Sequence, residues 1–392
     1  MKVADDWQVS GTCDPWFAPV REVFEDHLRR GVEHGAAVCL IVEGRLVVDL
    51  WAGMASRREK RPWGEHTLVN VYSATKAVAA FCVHHLVDQG RLALADPVAR
   101  YWPEFAAAGK ERITVAELLS HQAGLATIVD PIAAEARYDV RHMAGVLAAQ
   151  AQEHPPGGGH AYHAQTYGLL VGELVRRVVG VSIGTYLRKE VAGPRGIDFW
   201  IGLPAVHDHR VAQITRPLGV EPPEGQPNLA AVFQTEPQSL TARAFNNPPP
   251  APGAVNTRAF REAELAGSNG HGHARALAQI YGAAIGAWGS PLLSSATLQA
   301  LCAPLVAGVD GVLRVPTRFA AGVMSHTRDH RPGQLGEGAS DQAFGHPGMG
   351  GSLGAADPAA ALAFGYTMNR AEASILVDPR AAALLDAGYR CL

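Results

Sequence analysis

The chain predicts an α+β fold: an antiparallel sheet built from both chain ends, flanked by N- and C-terminal helices, with an all-helical region inserted between its halves. Three observations carry this. The N-terminal part reads as one amphipathic helix followed by a hairpin. The middle, from Asp96 to about Gly193, reads as successive helices. The last hundred or so residues turn to short strands and a closing helix. The implied division is a discontinuous sheet domain, residues 1–72 and 285–392, and a helical domain, residues 73–284.

In chain order, the first helix is expected over residues 17–30, with Val20, Phe24 and Leu28 as its apolar stripe and Gly31 as its stop. A hairpin follows, residues 37–42 and 46–51 around Glu43-Gly44. A polar stretch leads to a short strand at Thr67, and then to a helix from Ser73 that is apolar nearly all round and so belongs in the interior. Asp96-Pro97 reads as an N-cap with proline at the first helical position, and Thr114 to Glu117 as a capping box. Further helices are expected over residues 140–152, 165–179 and 183–191. Residues 216–255 carry Pro217, Pro222, Pro223, Pro227, Pro237 and a run at 248–252. They predict irregular structure that can drape over a site. A helix resumes near Ala274. Strands are expected over 318–324, 343–349, 352–356 and 360–367, and a last helix over 379–387.

The chain has 392 residues, 47% of them hydrophobic, and a net charge of −3. That is enough to bury a large core, and it shows no basic footprint for nucleic acid. No apolar run approaches the roughly 18 residues of a membrane helix. The acidic N-terminus lacks a signal peptide's apolar stretch, so a cytoplasmic location is expected. The five cysteines are scattered without a C-x-x-C pair, which fits reduced thiols; Cys39 and Cys82 read as core. The histidine pairs have no metal-enzyme context, and there is no phosphate loop. No metal or cofactor is expected.

The chemistry gathers in three places. Ser73-Ala-Thr-Lys76 puts a serine and a lysine on one face of a helix start, where the amine can take the hydroxyl proton. Tyr162, after the glycine-rich turn at 155–159, is a phenol able to relay a proton beside Lys76. The stretch from Gly345 to Gly354 includes His346, Gly348, Gly350 and Gly351. Its glycines admit substrate close to the backbone, an N–H there can pair with that of Ser73 as an oxyanion hole, and His346 is a candidate side-chain donor. Gly350-Gly-Ser352-Leu-Gly354 also matches the G-x-S-x-G nucleophile elbow. It is rejected as one: no helix is expected after Ser352, and no histidine follows His346.

Together, Ser73-x-x-Lys76, Tyr162 and His346-x-Gly348 resemble the three motifs of the serine β-lactamase and penicillin-binding-protein superfamily. Within it the chain is most similar to the family VIII carboxylesterases, relatives of class C β-lactamases. The stretches Leu118 to Leu125 and Tyr162 to Arg177 are also similar to that group. The resemblance implies a β-lactamase-like fold, Ser73 as nucleophile, Lys76 as its base, Tyr162 as proton relay, and an oxyanion hole from Ser73 and the strand near Gly350. Two departures stand out: Tyr162-His-Ala164 replaces Y-x-N, and His346-Pro-Gly348 replaces K-T-G. The missing asparagine and lysine engage a β-lactam, so the expected substrate is a small acyl ester. β-Lactamase or D-amino-acid peptidase activity, acyl transfer, and a non-catalytic binding protein stand as alternatives.

Overall fold

The computed structural model describes residues 8–153, 159–217, 219–328 and 334–392. The N-terminal stretch read for localisation, and most of the turn before Tyr162, lie outside them.

Ten strands form one antiparallel sheet: β1 (Ser10–Cys13), β2 (Gly35–Val42), β3 (Arg45–Ser56), β4 (Arg61–Pro62), and, beyond the separate pair β5 (Val69–Asn70) and β6 (His271–Gly272), β7 (Val306–Val309), β8 (Pro316–Phe319), β9 (Met324–Ser325), β10 (Phe344–Pro347), β11 (Leu353–Asp357) and β12 (Leu362–Met368). The order is β1-β3-β2-β12-β11-β10-β9-β8-β7, with β4 paired to β3. The two chain ends meet where β12 pairs with β2, from Leu362 opposite Val42 to Met368 opposite Ala36. The turn between β2 and β3 is Glu43-Gly44, both at positive φ (49° and 77°), as a two-residue hairpin requires.

The helices are α1 (Ala18–Arg29), α2 (Thr75–Asp88), α3 (Val115–Leu119), α4 (Val140–Ala149), α5 (Thr166–Val179), α6 (Ile183–Tyr186), α7 (Leu229–Thr235), α8 (Leu240–Asn246), α9 (Arg258–Glu262), α10 (Ala274–Ala284), α11 (Ser295–Cys302) and α12 (Pro379–Tyr389).

Strand β2 is apolar at every position because both its faces are covered. Its Ala36, Val38 and Leu40 join the core under α1 and α12. Its Ala37, Cys39 and Ile41 join the core that holds α2, α5 and α10. Alternation along a strand sends successive side chains to these two layers. α2 runs through the second core, with Ala77, Val78, Phe81 and Cys82 fully buried. Phe81 meets Tyr281 of α10 edge-to-face at 5.1 Å and Phe344 of β10 at 6.4 Å. α5 packs on α2 from the other side. The N-terminus of α2 therefore sits where the sheet layer and the helical region meet, held from both directions.

Some local expectations are corrected. Pro97 is extended and precedes a 3₁₀ turn, Val98–Arg100. The Asp96 carboxylate does not cap that turn; it accepts from Arg100 and the Tyr101 hydroxyl instead. The single strand expected over 318–324 is two strands, β8 and β9, broken at Gly322 (φ 95°). There the backbone comes so close to α2 that a Cβ would lie 2.3 Å from Ala80 Cβ. The proline-rich segment contains α7 and α8, capped by Asn228 and Ser239. The sequence reading also passed over α11 and the edge strand β7. The capping box at Thr114 and Glu117 is present, with both reciprocal bonds.

Candidate active site

Ser73 lies in the 3₁₀ turn Tyr72–Ala74 that runs into α2. The turn is held from several directions. Asn70 accepts from the Tyr72 N–H at 3.1 Å and donates to the Ser268 and Gly270 carbonyls, and the Thr75 hydroxyl donates to Tyr72 O at 2.5 Å. Tyr72 itself sits at φ 44°, a conformation costly for a non-glycine residue.

One turn along, Lys76 is fully buried. Its Nζ lies 3.1 Å from Ser73 Oγ, 3.0 Å from Ala164 O and 2.9 Å from Gly267 O. Burial in this dry layer lowers its pKa from that of an ordinary lysine to about 7. A neutral amine has two hydrogens and one lone pair. With two carbonyls taking the hydrogens, the lone pair is left for the Ser73 hydroxyl proton.

Tyr162 completes the cluster. Its phenol hydrogen-bonds Ser73, and Lys76 Nζ lies 4.8 Å from its ring centroid. Burial pushes the phenol well above its ordinary pKa, so it stays protonated. Tyr162 does not start a helix; it lies in an irregular segment ahead of α5. Its position is fixed by Asp310, whose Oδ1 accepts the Tyr162 N–H at 3.1 Å together with those of Val312 and Leu313. His121 packs 4.9 Å from the Tyr162 ring.

The glycine-rich stretch brings a backbone donor, but not the expected ones. The Gly350 N–H is bonded to Ser374 O at 2.7 Å, the Gly351 N–H to Gly348 O at 3.0 Å, and the Gly348 N–H to Ser352 O at 2.7 Å. The donor left without a partner among the described residues is Met349, which lines the same cavity as Ser73. The Ser73 N–H is likewise unpartnered. These two N–H groups form the candidate oxyanion hole. Gly348 makes the approach possible: a Cβ there would sit 2.1 Å from Val71 O.

His346 is buried on β10, its ring 6.1 Å from that of Tyr162. Its Nδ1 faces Pro347 O at 2.8 Å, so Nδ1 carries the hydrogen and Nε2 presents a lone pair. Burial, then the Lys76 charge, lowers its pKa to about 3, so the ring is neutral. The expectation of a donor to substrate is corrected on these grounds: its free nitrogen is an acceptor, and the side chain does not line the cavity. Ser352, the elbow-like serine, donates its hydroxyl to Val71 O at 2.8 Å and is followed by strand β11. It has a structural bond and no base.

The sequence reading missed Met349, Asp310 and Gly267. Met349 was findable, since it follows the strand end His346-Pro-Gly348. Asp310 and Gly267 were not, because their contacts span 148 and 191 positions.

In front of Ser73 is a cavity of about 550 Å³, walled by Tyr72, Met349, Ile375, Phe233 and Phe245 and by much of residues 246–256. Among the described residues, no group of three or more His, Cys, Asp or Glu is placed to hold a metal. No helix among them is long and apolar enough to cross a membrane.

The profile of the beta-lactamase family matches residues 20–387. An esterase/beta-lactamase, LipL, of Mycobacterium tuberculosis is 32% identical over 388 residues, covering 93% of this chain and 83% of its own length. The crystal structure of a family VIII carboxylesterase superposes with a TM-score of 0.87 at 37% identity, covering 98% of this chain and all of that one. A penicillin-binding-protein homologue from Caulobacter crescentus gives 0.86 at 37% identity, with the same coverage.

Proposed function

We propose that this chain, which belongs to the beta-lactamase family and is a serine hydrolase of its carboxylesterase branch, cleaves small carboxylic esters through an acyl-enzyme on Ser73. The observation that carries the reading is Lys76: buried, with a pKa near 7, and 3.1 Å from Ser73 Oγ, with its other two bonding positions filled by carbonyls.

In the first step Ser73 Oγ attacks the ester carbonyl carbon and its proton passes to Lys76 Nζ. The negative charge that develops on the carbonyl oxygen is met by the N–H groups of Ser73 and Met349. As the carbon–oxygen bond to the alcohol breaks, the leaving oxygen takes a proton from the Tyr162 phenol, which is restored from Lys76. Water then attacks the acyl-enzyme with its proton going to the same pair, and the acid departs from regenerated Ser73.

Esters are favoured over β-lactams by the side chains around this machinery. Ala164 offers only a backbone carbonyl, already bonded to Lys76. His346 offers a neutral acceptor where a lysine would offer a cation.

Hydrolysis of a short p-nitrophenyl ester, with Ser73→Ala as control, tests the reading. Ser73→Ala is expected to abolish turnover, and a labelled phosphonate is expected to modify Ser73. Retained turnover in Ser73→Ala, or efficient turnover of a chromogenic cephalosporin with none of the ester, overturns it.

A further inference from the structure

The cavity in front of Ser73 carries a charge pattern that its apolar walls do not explain. None of its lining residues is Asp or Glu, and its two charged residues are both arginines, Arg137 and Arg216. Arg137 is engaged, donating to Pro248 O. Arg216 makes no ion pair or hydrogen bond among the described residues. Yet its charge reaches the Tyr72 phenol, one residue from the nucleophile.

Arg216 is exposed, but the backbone that carries it is held in place. The residues before it are pinned. The Ile214 N–H and C=O both bond the Asn256 side chain, at 2.9 Å each. The Thr215 N–H bonds Asn369 O at 2.8 Å, and Thr215 O accepts from the Ala371 N–H at 2.8 Å. Pro217 follows and restricts Arg216 to extended backbone. The chain thus fixes the backbone from which the Arg216 guanidinium, with five donors and no acceptor, reaches the cavity. Arg216 lies at the cavity's rim, where a guanidinium without a counter-ion can meet the anionic group of an entering ligand.

We propose that Arg216 selects esters bearing a free carboxylate, held by its planar fork while Ser73 attacks the ester carbonyl. This rests on the ester-hydrolase reading of Ser73 and narrows it to monoesters of small dicarboxylic acids or esters of comparable charge. Bidentate pairing with a carboxylate fixes the orientation of the substrate as well as its charge. Two arginines and no carboxylate along its lining give the cavity a positive field that draws anions toward it.

The test compares p-nitrophenyl hydrogen glutarate with its methyl ester, which has nearly the same size and no charge. The unaltered protein is expected to favour the charged ester in kcat/KM. In Arg216→Gln the ratio of charged to neutral kcat/KM is expected to fall on the order of 10- to 100-fold, the worth of a charged hydrogen-bonded contact, and Arg216→Lys is expected to recover part of it. Glutarate itself should inhibit the unaltered protein competitively and inhibit Arg216→Gln at least tenfold more weakly. Equal use of both esters by the unaltered protein, with Ser73 still required, overturns the carboxylate proposal and leaves the ester reading intact. An unchanged ratio in Arg216→Gln overturns it as well. Failure to hydrolyse either ester overturns the ester reading and this proposal with it.

Discussion

Asp310 holds Tyr162 by the backbone: Oδ1 of the buried carboxylate accepts the Tyr162 N–H at 3.1 Å, and the N–H groups of Val312 and Leu313 at 2.8 Å each. Asp310 follows β7, at the sheet edge, whereas Tyr162 belongs to the helical region. The bond therefore ties Tyr162 to the sheet. Its other oxygen lies 3.6 Å from His160 Nε2. Asp310→Ala removes the acceptor from three N–H groups at once. We expect kcat to fall about 100-fold, the cost of a displacement near 1 Å at a reacting group. Asp310→Asn keeps an acceptor oxygen and should restore most of the rate. Steady-state kinetics on both variants checks this; equal loss in the two would show that charge, not position, is what matters.

The pH dependence follows from Lys76. Below a pKa of about 7 the amine is protonated and cannot take the Ser73 proton; above it the lone pair is available. kcat/KM on an uncharged ester should therefore rise about tenfold per pH unit below 7 and level off above it. His346, with its pKa near 3, and Tyr162, pushed up by burial, add no second limb in that range. The stability sign agrees. Between about 7 and the ordinary lysine value the unfolded chain binds one more proton than the folded chain, so this site's contribution to stability increases with pH there. A flat profile between pH 5.5 and 8.5 would remove Lys76 from the role of base.

How much of this was legible in the sequence depends on the range of each contact. Ser73 and Lys76 were legible because they sit one helical turn apart. The sheet built from both ends was legible because β2 and β12, the strands where the ends meet, are largely apolar runs between turn residues. His346 was legible as a neighbour of the site, but not its direction, since that is set by the carbonyl next to it. The candidate oxyanion donor was expected at Gly348, Gly350 or Gly351, on either side of Met349, because where each N–H is spent is set by the folded loop and not by the local sequence. Asp310 acts across the fold, and nothing near it in the chain marks its purpose.

Arg380 supports the Met349 loop from below. It is nearly buried and donates to Gly350 O at 2.8 Å, to Asp378 Oδ1 at 2.9 Å and to Glu33 Oε2 at 3.2 Å. Asp378 in turn accepts from Ser374, whose carbonyl takes the Gly350 N–H. Arg380→Met leaves two buried carboxylates without their cation and frees the loop. We expect a loss of about 3–5 kcal/mol in denaturant unfolding together with a lower kcat. Unaltered stability would show that this cluster is not the loop's support.

Ser352 offers a contrast. Its hydroxyl bonds Val71 O, which also accepts the Ala74 N–H at 3.2 Å. Ser352→Ala should cost about 0.5–1.5 kcal/mol, because the carbonyl keeps a partner, and should retain most ester hydrolysis. Loss of phosphonate labelling at Ser73 in this variant would contradict a purely structural bond.

Gly348 is the tightest point of the site. An added Cβ would lie 2.1 Å from Val71 O and 2.2 Å from Ser352 Oγ. The serine side chain can rotate away, but Val71 O cannot, because its position is part of the turn that presents Ser73. Gly348→Ala must therefore push apart the two segments that carry the unpartnered N–H groups of Ser73 and Met349. Oxyanion stabilisation acts only as charge develops, so the loss belongs in kcat, by about 100-fold, with KM changed far less. Steady-state kinetics with the near-ultraviolet circular dichroism spectrum as a check on packing measures this. A variant that loses affinity but keeps kcat would separate Met349 from the oxyanion hole and leave it as a wall of the cavity.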